Sequence, residues 1–323
     1  MRVTFDGQHY QLRPGESVLE GMARHGVGLP SACRAGACHT CLLRAEAGDP
    51  GKAGQHGLKP SLAARGYFLA CLARPPADLA VCTAGHDVMA PATVAGSSWL
   101  SPDVLALQLR PLRPVSFRAG QHVALDRGNG VVRVFSIASL PWPSWPADVE
   151  FHIRVHRGGA MSGWLAEACG GAVLRIGAPA GDCFYLPGSP ETALLLAGTG
   201  TGIAPLLAIA RDALRSGHTG PVTVIHGGAS PGRLYLGEQL PAGLAASTGA
   251  AGVRWVTCAR SRGEEITDAV LAEMQCGPGP AATRAYLCGG SGSVAAMRRA
   301  LFLAGMSLRH IQADEFVPAV AAG

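Results

Sequence analysis

Apolar and polar positions along the chain follow three successive rhythms, and each predicts a different architecture. Near the N-terminus the alternation is short: 3–5 and 9–12 read as strands joined at Asp6-Gly7, a hairpin signal. After a Pro-Gly turn, residues 17–25 put Val18, Leu19 and Met22 on one face of a short helix. A strand is expected at 42–46 and a surface loop over 48–60, where four glycines and two prolines interrupt any periodicity. The run Tyr67-Phe68-Leu69-Ala70 is apolar enough to lie at a core, and residues 83–96 read as a linker.

From 97 to about 187 short strands alternate with turns, at 104–109, 121–125, 131–137, 149–155 and 174–176, with one helix at 162–169. That pattern predicts an antiparallel β-barrel with a capping helix. Beyond 188, strands and helices alternate. Residues 193–197 are apolar throughout, as a parallel strand covered on both faces must be. Further strands are expected at 222–226, 253–257 and 285–288, each followed by a helix. The fold class is multidomain, α+β and α/β: a small first domain (1–84), an antiparallel barrel (92–187) and a parallel-sheet α/β domain (188–323).

Composition narrows the classes of partner. A chain of 323 residues with 48% hydrophobic content can bury two or three cores, and its 44 Gly and 23 Pro mark turns rather than disorder. The net charge of +5 is spread along the chain, with no lysine-rich run or basic–aromatic stripe, so no nucleic acid is expected. Residues 192–210 carry no charge, but Gly198, Gly200, Gly202 and Pro205 interrupt them, which suits a strand, turn and helix start rather than a membrane span. The alternating N-terminus has no secretory apolar region. A soluble, cytoplasmic monomer with reduced thiols is expected.

The chemistry gathers at Cys33-x₄-Cys38-x₂-Cys41, with Cys71 after 29 intervening residues. This spacing is that of a plant-type 2Fe–2S cluster, whose two irons need four thiolates. Ala35, Gly36 and Ala37 are small enough for backbone N–H groups to approach the sulfurs. A structural zinc site would show two paired knuckles, and only Cys38 and Cys41 form one. A disulfide framework belongs to smaller secreted domains. A Rieske centre needs two histidine ligands, whereas His39 has no counterpart and reads as a loop side chain. Cys82, Cys169, Cys183, Cys258 and Cys276 show no ligand spacing and read as core or surface thiols.

Several further motifs carry a resemblance. Residues 1–84 resemble the β-grasp fold of plant-type ferredoxins, although nine Lys/Arg against six Asp/Glu depart from the acidity of free-standing ferredoxins. A tethered cluster does not need long-range steering to its donor. Arg133-x-Phe135-Ser136-x-x-Ser139 resembles the R-x-Y-S-x-x-S flavin motif of the ferredoxin–NADP reductase superfamily, with Phe135 in place of Tyr. Phe117-x-x-Gly120-Gln121, Gly158-Gly159-Ala160-Met161-Ser162 and Ala178-Pro179-Ala180-Gly181 match further motifs of that family in order. Gly198-Thr199-Gly200-Thr201-Gly202-Ile203-Ala204-Pro205 resembles its dinucleotide loop, Tyr286-Leu287-Cys288-Gly289-Gly290 its nicotinamide-side strand end, and Ile311 to Phe316 its closing motif.

The resemblance implies a role for each position. Arg133 pairs with a flavin phosphate, Phe135 lies on the isoalloxazine and the Ser136 hydroxyl reaches its N5 edge. Gly159, Met161 and Ser162 receive the flavin pyrophosphate at a helix start. Gly200, Thr201, Gly202 and Pro205 hold the dinucleotide, Cys288 and Gly289 stand beside the nicotinamide, and Ser291-Gly292 lengthen or loosen the loop after them. Asp314 lies near the flavin with Phe316 against its ring. Ser136, Cys288 and Asp314 form the implied catalytic set, Cys288 not as a nucleophile.

In order, the three modules resemble iron–sulfur flavoprotein reductases of bacterial oxygenase systems. That implies an oxidoreductase using FAD, a 2Fe–2S cluster and NADH, with an oxygenase component as electron acceptor. NADPH stays open, because Ser230 and Arg233 could take a 2′-phosphate. Two alternatives share the modules: the reductase partner of a sugar deoxygenation enzyme, and a redox sensor without turnover, which the departures at Phe135, Ala178 and Gly290 would suit. No globin-sized helical segment is present.

Overall fold

Three sheets, each with its own apolar core, follow one another along the chain. The computed structural model describes all residues except 32, 85–87, 129–130, 143–145, 169, 238–243, 245–251 and 317–323. The first unit comprises β1 (Arg2–Phe5), β2 (Gln8–Gln11), α1 (Val18–Arg24), β3 (Leu42–Ala47), α2 (Lys52–Gln55), α3 (Pro60–Ala63), β4 (Tyr67–Leu69) and β5 (Leu79–Thr83). Its strand order is β2-β1-β5-β3-β4, with β1 parallel to β5 and the other pairs antiparallel. Asp6 and Gly7 both take positive φ, the twist that a two-residue hairpin turn requires. Ser17 caps α1 reciprocally: Glu20 N–H donates to its hydroxyl and Ser17 N–H to the Glu20 carboxylate. Val3, Val18, Met22, Leu43 and Phe68 fill the core beneath.

The surface loop expected over 48–60 is corrected. It contains the helical turn α2, with Gly54 buried, and a Cβ there would stand 2.8 Å from Ala73 Cβ. This glycine permits a close backbone approach and does not mark an open loop.

The second unit holds β6 (Met89–Ser101), β7 (Val104–Pro111), β8 (His122–Asp126), β9 (Val132–Ser136), β10 (Val149–Arg154), α4 (Ser162–Glu167) and β11 (Val173–Gly177). Its order is β10-β7-β6-β11-β8-β9, antiparallel throughout. The linker expected over 83–96 is also corrected: β5 runs to Thr83, and β6 begins at Met89 and buries Ala92 and Val94. Pro91 near the strand start still offers its carbonyl, which accepts from Leu112 N–H, and the register shifts between Val94 and Gly96. Both apparent breakers sit where a ladder tolerates them. The helix expected over 162–169 is α4, and Cys169 lies outside the described residues.

The third unit is β12 (Ala193–Thr199), a 3₁₀ turn (Gly200–Gly202), α5 (Ile203–Arg215), β13 (Val222–Gly228), β14 (Val253–Ala259), α6 (Ile266–Cys276), β15 (Thr283–Gly290), α7 (Ser291–Leu303) and β16 (Ile311–Phe316). The order β14-β13-β12-β15-β16 is wholly parallel, and the strand sequence reverses direction between β12 and β15. In such sheets ligands bind outside the carboxyl ends of the strands at that reversal. The longer loop expected at Ser291-Gly292 is corrected: α7 starts at Ser291, straight from Gly290. The helix expected after 222–226 falls largely on residues outside those described. No helix among the described residues is long and apolar enough to cross a membrane.

Candidate active site

The cysteine loop lies between α1 and β3. Arg34 and His39, neither a glycine, take φ of 54° and 55°, so this loop is held in the left-handed region at two places. Such positions recur at functional sites. The four thiols stand two by two. Cys33 and Cys38 hydrogen-bond one another, as do Cys41 and Cys71. Ala35 N–H and Cys38 N–H donate to Cys33 Sγ at 3.4 and 3.3 Å, Cys33 N–H to Cys38 Sγ at 3.4 Å, and Thr40 Oγ1 to Cys38 Sγ at 3.2 Å. Gly36 N–H reaches Cys71. Within each pair one thiol is held down, Cys33 to about 5 by the bond from Cys38, and Cys71 by that from Cys41. No group of three or more His, Cys, Asp or Glu among the described residues surrounds a single ion. Two pairs of thiols fit a two-iron cluster, which takes two ligands per iron.

His39 is half-buried and borders a cleft of about 220 Å³ that also touches Cys38, Met89, Val132 and Ala178, between the first and second sheets. Burial pushes its imidazole down, followed by the charge of His122. It is a loop side chain that also borders the second unit.

Across the barrel, β8 and β9 pair so that His122 stands opposite Ser136. In the third sheet, β15 and β16 pair so that Cys288 stands beside Asp314. These two ladders meet. Ser136 Oγ donates to Asp314 Oδ2 at 3.2 Å, and His122 Nδ1 lies 3.4 Å from the same oxygen. Cys288 is fully buried, and its thiol is raised by a hydrogen bond with Cys183, by burial and by the charge of Asp314. The structure thus brings Ser136, Asp314 and Cys288 together, and adds His122 and Cys183, which motif reading passed over. A cross-strand pairing of 121–125 with 131–137 was the signal that could have found His122.

The remaining expected flavin contacts lie around this point. Phe135 is half-buried on the barrel core, and Phe316 packs against the core of the third unit. Arg133 is half-buried and donates to the Val132 carbonyl at 2.7 Å. Met161 is buried in the barrel core. Ser162 Oγ accepts from His156 N–H at 3.1 Å, so it ties down the preceding loop and does not cap α4, whose N-cap is Met161. A Cβ on Gly159 would collide with that hydroxyl at 2.5 Å.

At the carboxyl ends of β12, β13, β14 and β15 lies a cavity of about 550 Å³, bordered by Gly200, Gly228, Arg154, Arg233 and Arg260 among others. Gly202 packs its backbone on β15, where a Cβ would stand 2.5 Å from the Cys288 carbonyl. Gly289 has φ 138° and is buried next to Thr199. Pro205 is buried in the first turn of α5, and Thr201 is half-buried at the 3₁₀ turn. Of the expected dinucleotide residues, Gly200 therefore lines the cavity, while Gly202, Pro205, Cys288 and Gly289 are buried behind it and do not border it. Glycine backbone and arginines around a cavity of this size fit a phosphate-bearing ligand. At its rim Asp103 pairs with both Arg154 of the barrel and Arg233 of the α/β unit.

Comparison with known proteins agrees with this order of sites. Residues 3–76 match the 2Fe-2S iron-sulfur cluster binding domain, 91–185 the oxidoreductase FAD-binding domain and 196–299 the oxidoreductase NAD-binding domain. The chain is 30% identical, over 96% of each sequence, to the ferredoxin–NAD(P)(+) reductase component of the naphthalene 1,2-dioxygenase/salicylate 5-hydroxylase systems of Ralstonia sp.. It is 34% identical, over 98% of each, to the reductase subunit of an aromatic O-demethylase from Amycolatopsis sp.. Among solved structures it resembles the Amycolatopsis cytochrome P450 reductase GcoB, with a TM-score of 0.64 and 30% identity over 98% of this chain and 99% of that one. It also resembles the ferredoxin reductase in carbazole 1,9a-dioxygenase, with a TM-score of 0.65 and 25% identity over 98% of each.

Proposed function

The chain belongs to the iron–sulfur flavoprotein reductases of the ferredoxin–NADP reductase superfamily, and from that premise we propose that it carries electrons from NADH to the oxygenase component of a two-part oxygenase system. Its three domains bind a 2Fe–2S cluster, FAD and NAD. When bound, these groups supply a hydride, its division into single electrons, and their one-at-a-time delivery.

The protein's own residues do the positioning. Cys33 with Cys38, and Cys41 with Cys71, would hold one iron per pair, while backbone N–H groups of the 35–38 turn would neutralise sulfur charge. Arg133, Gly159, Met161 and Ser162 would hold the flavin phosphates from the barrel, with Phe135 and Phe316 against its ring. Gly200, Thr201, Gly202 and Pro205 would let the dinucleotide approach β12, with Cys288 and Gly289 beside the nicotinamide. Ser136 donates to Asp314 Oδ2, and the fully buried Cys288 keeps water from that side of Asp314.

The observation that carries the reading is the Ser136–Asp314 contact, which joins the barrel to the α/β domain where a hydride would pass. NADH is the favoured donor because Arg233, a candidate for a 2′-phosphate, is held by Asp103. The loaded protein should oxidise NADH with ferricyanide as acceptor. Cys71→Ser should keep that activity and lose electron delivery to cytochrome c and to an oxygenase component. Protein carrying both groups that oxidises neither NADH nor NADPH would overturn the proposal.

A further inference from the structure

Resting on the reductase reading, we infer that His122 is a positioning residue of the hydride site, fixing the Asp314 carboxylate through Nδ1 while Ser136 fixes it from the neighbouring strand. His122 and Ser136 are direct cross-strand neighbours, so their side chains leave the same face of the barrel. Both end on one oxygen, Asp314 Oδ2, at 3.4 and 3.2 Å. Asp314 comes from the last described strand of the other domain, 178 residues beyond Ser136. Two side chains converging on a single oxygen leave Oδ1 as the face turned elsewhere, which gives the carboxylate a defined orientation.

The imidazole is itself over-determined. Residue 122 is 5% exposed, its backbone exchanges two hydrogen bonds with Ala180, and a Cβ on Gly181 would stand 2.9 Å from the ring. Gly181 has φ 96°, so glycine is required there on both counts. With Nδ1 turned to the carboxylate, Nε2 is buried and without a hydrogen-bond partner among the described residues. Natural structures leave few such atoms, and an orphan nitrogen beside the expected flavin ring is where a bound ring could complete the set. A histidine kept only for packing would be served as well by an apolar ring.

The test uses the amide mimics of the two ring nitrogens in the full-length protein. Asparagine places its N–H near Nδ1, glutamine near Nε2, and phenylalanine keeps volume without a donor. In anaerobic stopped flow, His122→Asn should retain the rate of flavin bleaching by NADH to within about threefold, while His122→Phe loses about 10- to 100-fold at unchanged nicotinamide affinity, the usual loss when a reacting group is misplaced. In an Asp314→Asn background His122→Phe should cost nothing more, the signature of action through a shared partner. Independently of turnover, ¹⁵N-histidine spectra of the flavin-free protein should show a hydrogen-bonded Nδ1–H at His122 that Asp314→Ala removes. Equal losses in both backgrounds, asparagine no better than phenylalanine, or an Nδ1 signal indifferent to residue 314 would each overturn the assignment. If His122→Phe does not fold, the asparagine–glutamine comparison and the spectra decide alone. Wild-type NADH oxidation stands or falls separately, so failure here leaves the reductase reading intact.

Discussion

At the scale of single residues, the Ser136 hydroxyl makes a half-buried bond to a carboxylate of another domain. Ser136→Ala should lower the rate of flavin reduction about tenfold while changing stability by only about 1 kcal/mol, measured by stopped flow and urea titration. Buried histidines give a different signal. His226 is fully buried, and burial pushes it down to about 4 against the opposing pull of the Gly200 backbone. Its folded value lies below its unfolded one, so the unfolded chain takes up the extra proton as pH falls from about 6.5. Its contribution is thus present above that pH and is lost progressively down to pH 4, by about 3 kcal/mol in all. Urea midpoints across pH 4 to 7 should show this slope, and His226→Phe should flatten it. Residue-level legibility was uneven. The cysteine spacing could be read directly because three of the four thiols share one loop. His122 and Cys183 were missed because their meaning depends on partners more than a hundred positions away.

At the scale of elements, alternation found the barrel strands and the buried run of β12, since burial on one or both faces imposes its period on composition. Errors fell where glycine and proline serve packing instead of turning. Gly54 falls in the stretch expected as a surface loop and Pro91 in the one expected as a linker, and the structure uses one for close approach and the other at a strand start. The capping box of α1, by contrast, stands in the sequence as Ser17 and Glu20. Ser17→Ala should cost about 1 kcal/mol in chemical denaturation, and it should leave iron content unchanged, because α1 packs on the core without supplying a ligand. Gly202→Ala tests the close approach of the 200–202 turn to β15. Its Cβ would meet backbone of β15, which cannot swing aside, so a loss of about 1–3 kcal/mol and weaker NADH binding by calorimetry are expected.

At the scale of the whole molecule, the barrel and the α/β domain are joined by polar contacts around the cavity. Asp103 binds arginines from both, and His152 of β10 shares a hydrogen bond of 2.8 Å with Tyr235. Asp103→Ala should release Arg233 and raise the NADPH-to-NADH ratio of kcat/KM about fivefold, the worth of one partly exposed ion pair. This joint was not visible in the motifs, since Asp103 belongs to none of them and lies 130 positions from Arg233.

The place of β1 has a consequence for how the chain is made. It leaves the ribosome before its parallel partner β5, so one edge stays open until residue 83 has emerged. By then all four cluster thiols have already emerged. Until β5 takes its place between β1 and β3, the hairpins β1-β2 and β3-β4 have no strand to join them, so the thiols are all exposed to delivery of iron and sulfide before the sheet that carries their loop is complete.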